Sequence, residues 1–315
     1  MELIKSPLNY TGNKFRILPQ IQPYFPKEID TMVDLFCGGA TVSINTNCKN
    51  RICIDNNDKV IGLLEYLSES QFEKIKTKMF SIAQQYNLSN SFINGFKYYK
   101  NLCKDKNNNN GLKNYNEIGY YELREDYNSL NNKSTDKAYL MLYILMLYSF
   151  NNDIRFSSEG RFNLPVGKTD INKSNLEKLK IFINRMSEIK CRFICEDFKC
   201  KIVERYIDKS DFVYLDPPYL ITTAVYNDSG KWDDTDEAEL IKIIEEMLKN
   251  KKYFVLSNLL DKKGKVNTKL KEFIKKNRNK IIVKNIKYNY KSASYNKIIR
   301  DSNEHEIIVI SKGRK

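Results

Sequence analysis

The sequence predicts an α/β fold built around a mostly parallel sheet. Three short apolar runs, rich in β-branched and aromatic residues, lead into an acidic residue or a Gly turn, as buried strands do: 31–36, 51–55 and 211–216. Two later runs have the same character, namely 252–257 and 306–310. Helical patterns stand between these runs, for example over 58–69 and 236–249. Strands that alternate with helices indicate a parallel sheet.

The middle of the chain departs from this pattern. Residues from about 66 to 189 are rich in Asn, Tyr and Lys, and their periodicity is largely helical. The apolar stretch 138–150 predicts a buried helix, and the low-complexity stretch 104–111 predicts an exposed loop. We therefore expect a helical insertion over 66–189 that divides one α/β domain into two parts, 1–65 and 190–315.

The charge of the chain points to a polyanionic partner. Its 315 residues include 53 Lys and Arg against 39 Asp and Glu, a formal net charge of +14. A compact protein this basic is expected to meet nucleic acid, although a Lys-rich solvated surface would give the same balance. The chain has no run of about 18 apolar residues, and its first residues lack the apolar region of a signal peptide. We therefore expect a cytoplasmic protein without a membrane span.

The cysteine and histidine content limits the kinds of catalytic and metal site that the chain can form. The seven cysteines are an odd number and lack C-x-x-C spacing, so we expect reduced thiols and no metal site. The single histidine, His305, leaves little scope for His-based metal or triad chemistry. Any reaction must therefore rely mainly on carboxylates, lysines, aromatic rings and backbone groups.

A Gly turn follows the first predicted strand. The segment 34–40 contains Gly38 and Gly39, and paired glycines let a backbone approach a ligand closely. The spacing is not G-x-G-x-x-G, so a nicotinamide fingerprint is not supported. The next predicted strand ends at Asp55, where a carboxylate can accept hydrogen bonds from ribose hydroxyls. The pair favours a nucleoside site over a turn without a ligand.

A second candidate site follows the predicted central strand. It is the tetrapeptide Asp216-Pro217-Pro218-Tyr219. Its two prolines fix the backbone and remove two donors, which leaves carbonyl groups available as acceptors. With a carboxylate and a flat ring beside them, these groups suit a planar ligand that carries an NH2 group. A rigid Pro-Pro turn is the alternative, but acid, prolines and ring follow a buried strand without interruption.

With these motifs in order, the chain resembles the Dam-type, alpha-group DNA adenine methyltransferases. The resemblance covers nearly the whole chain through the segments 7–14, 34–39, 54–58, 120–124, 150–155, 160–167, 196–198 and 216–219. The last motif alone recurs, with Asn in place of Asp, in RNA and protein methyltransferases. The ordered set is therefore the more specific signal.

The resemblance implies a Rossmann-like sheet that binds S-adenosylmethionine (AdoMet), with an inserted target-recognition domain. By position in the motifs, the implied cofactor-binding residues are Tyr10, Lys14, Asp34, Phe36, Gly38, Asp55, Asp197, Phe198 and Asp216. The implied catalytic residues are Asp216, Pro217, Pro218 and Tyr219. Asp216 and the Pro217 carbonyl would accept the hydrogens of an adenine amine, and Tyr219 would stack on the flipped base. No cysteine follows a proline, which fits a reaction without a covalent cytosine intermediate.

The resemblance also implies double-stranded DNA as the partner. The implied DNA-binding residues are Phe150, Asn151, Arg155, Arg161 and Lys168, with Arg155 the best candidate for guanine readout. Asn9 and Lys168 stand where relatives that read G-A-T-C often carry Lys and Arg, and Asp153 stands at a usually apolar position. These departures leave the target sequence open. The segment 287–294 is a further candidate DNA contact.

Two alternatives stay open at this point. One is an RNA or protein methyltransferase with the same pocket, against which Asp rather than Asn at position 216 argues. The other is a non-catalytic nucleic-acid-binding relative, against which the intact tetrapeptide argues. A cognate restriction endonuclease is a candidate partner, whereas neither a membrane nor a metal is expected.

Overall fold

The computed structural model describes residues 2–10, 12–103, 108–221, 232–262, 264–286 and 304–313. The strands in these residues form one sheet and are β1 (Thr31–Leu35), β2 (Asn50–Asp55), β3 (Lys190–Cys195), β4 (Phe212–Leu215), β5 (Tyr253–Lys262), β6 (Lys265–Val266), β7 (Ile281–Asn285) and β8 (Glu304–Ser311). Their order is β3-β2-β1-β4-β5-β8-β7, with the short β6 paired to β5. The first five strands in this order pair in parallel, and β8 is antiparallel to β5 and β7. The predicted α/β fold with a mostly parallel sheet is confirmed.

The helices in the described residues cover both faces of this sheet. They are α1 (Leu18–Ile21), α2 (Thr41–Asn45), α3 (Asp58–Glu69), α4 (Phe72–Gln85), α5 (Ser91–Asn94), α6 (Phe96–Leu102), α7 (Lys113–Asn128), α8 (Asp136–Tyr148), α9 (Lys173–Glu188), α10 (Lys201–Lys209), α11 (Asp234–Lys249) and α12 (Thr268–Asn277). Short 3-10 turns occupy Gln22–Tyr24, Asn108–Asn110 and Phe150–Asn152. The predicted helices at 58–69 and 236–249 are therefore present.

The two central strands place the site. All of β4 and most of β1 are buried, because apolar side chains from the helices cover both faces. Leu35 of β1 pairs with Leu215 of β4, so Phe36 and Asp216 leave the sheet side by side. Asp55 ends the neighbouring strand β2. Ligands of open α/β sheets bind at this carboxyl edge.

The middle of the chain is helical, as predicted. Helices α4 to α9 lie between β2 and β3 in the sequence, and α4, α7, α8 and α9 share one apolar core with α3 and one face of the sheet. Cys53 of β2 and Phe193 of β3 belong to that core, together with Leu145 and Phe182 of the helices. The division into 1–65, 66–189 and 190–315 stays a prediction.

Helix α8 confirms the buried helix predicted at 138–150. From Leu140 to Tyr148 every side chain is buried, so the helix is apolar all round and lies within the core. Its first turn is capped by the Thr135 hydroxyl, which accepts a hydrogen bond from the backbone N–H of Ala138 at 3.2 Å.

Other predictions fall partly or wholly beyond the described residues. The predicted loop at 104–111 is described only from residue 108, and the candidate DNA contact at 287–294 lies outside the described residues. Within the described ranges, no helix combines the length and apolar character needed to cross a membrane. No group of three or more His, Cys, Asp or Glu side chains in the same ranges could hold a metal ion.

Candidate active site

A cavity of about 350 Å³ opens at the carboxyl edge of β1, β2 and β4. It is lined by the segments that follow these strands, by the N-terminal segment and by the residues after β3: Tyr10, Lys14, Asp34, Phe36, Gly38, Thr41, Asp55, Asp197, Phe198, Asp216, Pro217, Pro218 and Trp232, among others. The structure thus brings together every residue assigned above to cofactor binding. Tyr219 lies next to this cavity through a hydrogen bond to Asp216.

The loop after β1 adopts a conformation that favours glycine. Gly38 has φ +46°, and a Cβ atom placed there would lie 2.8 Å from Cδ1 of Tyr10. The backbone N–H of Gly38 donates to Oδ2 of Asp55 at 2.9 Å, which ties the loop to the end of β2. A residue with a side chain would be strained at this position and would displace the Tyr10 ring.

Asp34 holds the other end of this loop. Its Oδ2 accepts hydrogen bonds from the Ser43 hydroxyl at 2.5 Å and the Ser43 N–H at 3.2 Å. The side chain is almost fully buried, and this burial raises the pKa of the Asp34 carboxyl well above its ordinary value. Asp34 reaches the cavity wall, but one of its oxygens is engaged in fixing the loop to α2.

One wall of the cavity is aromatic. Phe36 and Phe198 lie with ring centroids 5.2 Å apart, and Trp232 contacts both, at 5.7 and 5.3 Å. The indole N–H of Trp232 donates to Oε2 of the buried Glu237 at 2.7 Å, which orients the ring. Trp232 was not assigned to the site from sequence. Its only local signal is a large aromatic residue beside an acidic helix start, which local packing explains equally well.

Polar groups also line the cavity. Asp55 is half-buried, and burial raises the pKa of its carboxyl, although backbone N–H groups of Gly38 and Asn57 oppose this rise. Asp197 accepts the backbone N–H of Lys199 at 2.8 Å. The hydroxyl of Thr41 is buried at the cavity wall without a hydrogen-bond partner in the described structure. A buried hydroxyl of this kind is expected to bond to a ligand or to water.

The tetrapeptide forms a charged corner with the N-terminal segment. Lys14 Nζ lies 2.9 Å from Oδ2 of Asp216 and 5.2 Å from the centre of the Tyr219 ring. The Tyr219 hydroxyl lies 3.3 Å from Oδ1 of Asp216 and 3.2 Å from Oε1 of Glu306 on β8. Glu306 was predicted as a strand residue but not as part of the site. No local signal marks it, because its contacts join positions 87 residues apart.

The electrostatics of this corner predict a pH effect. Burial raises the pKa of the Asp216 carboxyl above its ordinary value, and the nearby Lys14 opposes that rise. Lys14→Met removes the opposing charge, so the pKa should rise further. If the reaction needs the carboxylate, the acid limb of the pH–rate profile should move to higher pH, by about 1–3 units.

A lysine in a similar setting provides the control for this profile. Lys133 Nζ contacts a backbone carbonyl at 3.3 Å and lies 5.9 Å from the Tyr127 ring, away from the cavity. Lys133→Met should leave the midpoint of the acid limb of the pH–rate profile unchanged. An unmoved midpoint in Lys14→Met would contradict the role of Lys14.

The residues assigned to DNA binding lie on a short hairpin, 149–168. It is closed by bridges between Ser149 and Val166 and between Phe156 and Phe162. The exposed fraction of Phe150 is 50%, whereas Phe156 and Phe162 are buried. Phe156 and Phe162 belong to the apolar core, so the ring of Phe150 is the one that this hairpin exposes.

The basic side chains of this hairpin are exposed, and its two arginines bind a neutral and an acidic partner. Arg155 donates to Oδ1 of Asn163 at 2.8 Å, and Arg161 pairs with Glu125 at 2.6 Å. Lys168 is exposed near the base of the hairpin. Asn151 is joined to the N-terminal segment, because its carbonyl accepts a hydrogen bond from the Asn9 side chain at 2.6 Å.

A second cavity, of about 900 Å³, lies between this hairpin and the charged corner. Asn151 and Asn9 line one side of it, and Glu306 lines another. Lys14 lines both this cavity and the smaller one. The two cavities therefore meet at the side chain that contacts Asp216.

Comparison with known proteins identifies the family. The family described as D12 class N6 adenine-specific DNA methyltransferase matches residues 10–290. The chain belongs to this family. The resemblance drawn from the motifs is thereby confirmed.

Individual family members differ in length from this chain. The type II methyltransferase M.FokI of Planomicrobium okeanokoites is 34% identical over 307 residues, which cover 96% of this chain and 42% of that protein. The modification methylase StsI of Streptococcus sanguinis is 31% identical, with the same coverage. The DNA adenine methylase of Salmonella typhi is 25% identical and covers 80% and 79% of the two chains. The chain thus spans less than half the length of the first two relatives.

Proposed function

We propose that this chain is a site-specific DNA adenine-N6 methyltransferase that uses AdoMet. The observation that carries the proposal is the position of Lys14, which lines both cavities and contacts Asp216 in the smaller one. A methyl donor in the smaller cavity and a target base in the larger one would approach each other at Asp216. Family membership supports the same activity.

The smaller cavity fits AdoMet in three respects. Its volume of about 350 Å³ is in the range of small-molecule sites. Its carboxylates suit a cationic ligand, and the unpartnered hydroxyl of Thr41 offers a hydrogen bond. The rings of Phe36, Phe198 and Trp232 suit the faces of an adenine. When bound, AdoMet supplies a methyl group on a positively charged sulfur.

Each residue of the smaller cavity has a proposed role. Asp55 accepts hydrogen bonds from the ribose hydroxyls, and Asp197 accepts one from the amine of the cofactor's adenine. Tyr10 and Gly38 shape the wall, and Asp34 acts through the loop that it ties to Ser43. The cationic Lys14 pairs with Asp216, so the carboxylate balances its charge at the cofactor cavity.

The tetrapeptide is proposed to bind and activate the target amine. Asp216 and the Pro217 carbonyl accept hydrogen bonds from its two N–H groups. These bonds favour a pyramidal nitrogen, whose lone pair is then no longer conjugated with the ring. Pro218 keeps the backbone rigid, and Tyr219 stacks on the base. A base within a duplex cannot reach this corner, so the adenine must flip out at a cost of a few kcal/mol. Positioning is therefore expected to dominate the rate.

The hairpin is proposed to contact double-stranded DNA. Phe150 and Asn151 lie beside the larger cavity, where they can fill the gap left by a flipped base. Arg155, Arg161 and Lys168 would meet bases or phosphates, to which the net charge of +14 adds general attraction. The proposed location is the cytoplasm of a bacterial cell, where the protein would meet DNA. A cognate restriction endonuclease is the proposed partner, because relatives are named as modification methylases.

Loss of Arg155 should weaken DNA binding selectively. If its guanidinium reads a guanine, Arg155→Ala should cost about 1–3 kcal/mol of DNA affinity and relax specificity at one position. Fluorescence anisotropy with a duplex that contains the target site measures the affinity at fixed salt. Arg192→Ala, which removes an exposed arginine from edge strand β3, should leave the affinity nearly unchanged. Equal losses in both variants would indicate general charge attraction instead.

Expression in a host that lacks DNA methylation tests the proposed function. Genomic DNA would be sequenced by a single-molecule method that detects modified bases, with Asp216→Ala as the control. Adenine marks at one short motif, absent from the control, are the expected result, and they also give the target sequence. Absence of marks from a folded protein that binds AdoMet in calorimetry would favour an RNA or protein substrate. Absence of both would favour a non-catalytic binder.

A further inference from the structure

Both oxygens of the Asp216 carboxylate already face donors. Lys14 Nζ lies 2.9 Å from Oδ2, and the Tyr219 hydroxyl lies 3.3 Å from Oδ1. Each hydrogen bond that an oxygen accepts reduces the negative charge left for the next donor. A target amine that approaches Oδ1 therefore competes with the hydroxyl of Tyr219.

Glu306 provides an alternative acceptor for this hydroxyl. Its Oε1 lies 3.2 Å from the Tyr219 oxygen and 3.9 Å from Lys14 Nζ, and the residue is buried. A hydroxyl carries one hydrogen, so it donates to Asp216 or to Glu306 but not fully to both. Both distances exceed the usual O–H···O separation of about 2.8 Å, as expected for a hydrogen that two acceptors share.

The backbone keeps Glu306 in place. Strand β8 is paired on both sides, with Glu306 opposite Leu259 of β5 and Ile307 opposite Asn285 of β7. The carbonyl of Glu306 also accepts the backbone N–H of Ile286 at 2.8 Å. An acceptor held in this way can fix the direction of the Tyr219 hydroxyl without touching the reacting atoms.

We propose that Glu306 is a positioning residue for methyl transfer, which takes the Tyr219 hydroxyl hydrogen and so leaves Asp216 Oδ1 to the target amine. This inference rests on the proposed function. It also gives the last strand of the sheet a role in the reaction, since β8 brings the carboxylate to the corner from a distant part of the sequence.

A double-variant experiment tests this role. Single-turnover methylation would be measured with unmethylated bacterial genomic DNA and methyl-labelled AdoMet. Glu306→Ala should slow the reaction about 10- to 100-fold, because the hydroxyl loses its Glu306 acceptor and then donates to Asp216. Glu306→Gln, whose amide oxygen can still accept, should be less affected. Tyr219→Phe added to Glu306→Ala should restore the rate about tenfold, because the competing hydroxyl is gone.

Several measurements keep the outcomes distinct. The affinity for AdoMet by calorimetry should stay within about threefold in all Glu306 variants, since Glu306 does not line the smaller cavity. His305→Ala changes an exposed neighbour on the same strand and should react like the wild type. If the wild type transfers no label, the proposed function fails. The inference on Glu306 is overturned if the wild type transfers label and Glu306→Ala is equally fast. It is also overturned if Tyr219→Phe slows the Glu306→Ala variant further.

Discussion

Replacing Asp216 by alanine is expected to lower the single-turnover methylation rate at least about 10³-fold, the scale of losing a group that acts directly on the reacting atoms. The substitution removes the acceptor for the target amine, and it leaves Lys14 without its 2.9 Å partner. Asp216→Asn keeps the size and one acceptor oxygen but loses the charge. It should therefore retain more activity than alanine while remaining far below the wild type.

Stability measurements separate this effect from loss of the fold. Lys14 is only 7% exposed, so the loss of its 2.9 Å carboxylate partner should lower the melting temperature of both Asp216 variants. The rates must therefore be compared below the unfolding transition, which circular dichroism locates. An Asp216→Ala variant that stays folded and keeps a tenth of the wild-type rate would contradict the assignment of the tetrapeptide as the catalytic centre.

Gly38→Ala is expected to weaken AdoMet binding at least about tenfold. A residue with a side chain in the left-handed region costs about 1–2 kcal/mol. The new methyl group would also lie 2.8 Å from the Tyr10 ring, so the ring must move within the cofactor cavity. Isothermal titration calorimetry with AdoMet measures the loss directly.

Gly264 offers a matched control for backbone strain. It has φ +81°, but a Cβ placed there meets no heavy atom of the described residues within 4 Å. Gly264→Ala should therefore carry similar strain and a similar fall in melting temperature, with AdoMet affinity close to that of the wild type. Equal losses of affinity in the two variants would show that strain alone, rather than the Tyr10 contact, weakens binding.

Strands with buried, apolar sequences were predicted, and those at the two edges of the sheet were not. β1, β4 and β5 carry apolar runs because both of their faces are covered. β3 and β7 lie at the edges, where most of their side chains are half-buried or exposed. Lys190 and Arg192 of β3 interrupt any apolar pattern, so pairing with a neighbour, rather than burial, defines that strand.

The site divides in a similar way. Gly38, Asp55 and Asp216 stand at or shortly after the ends of strands, and the topology of a parallel sheet places such residues at one edge. Trp232 and Glu306 reach the site through contacts across the fold, so the local sequence around Trp232 is ambiguous and that around Glu306 carries no signal. Phe156 and Phe162 of the hairpin show a related limit, since an aromatic residue near basic ones can lie in the core, as these two do, or on the surface, as Phe150 does.

The aromatic wall also makes the protein its own optical reporter. Trp232 is the only tryptophan in the chain, and it lies against Phe36 and Phe198 at the cofactor cavity. Indole emission from the whole protein therefore originates at one wall of that cavity. An adenine ring that stacks there would quench or shift the emission, so cofactor entry and product release could be followed in stopped-flow experiments without an added dye.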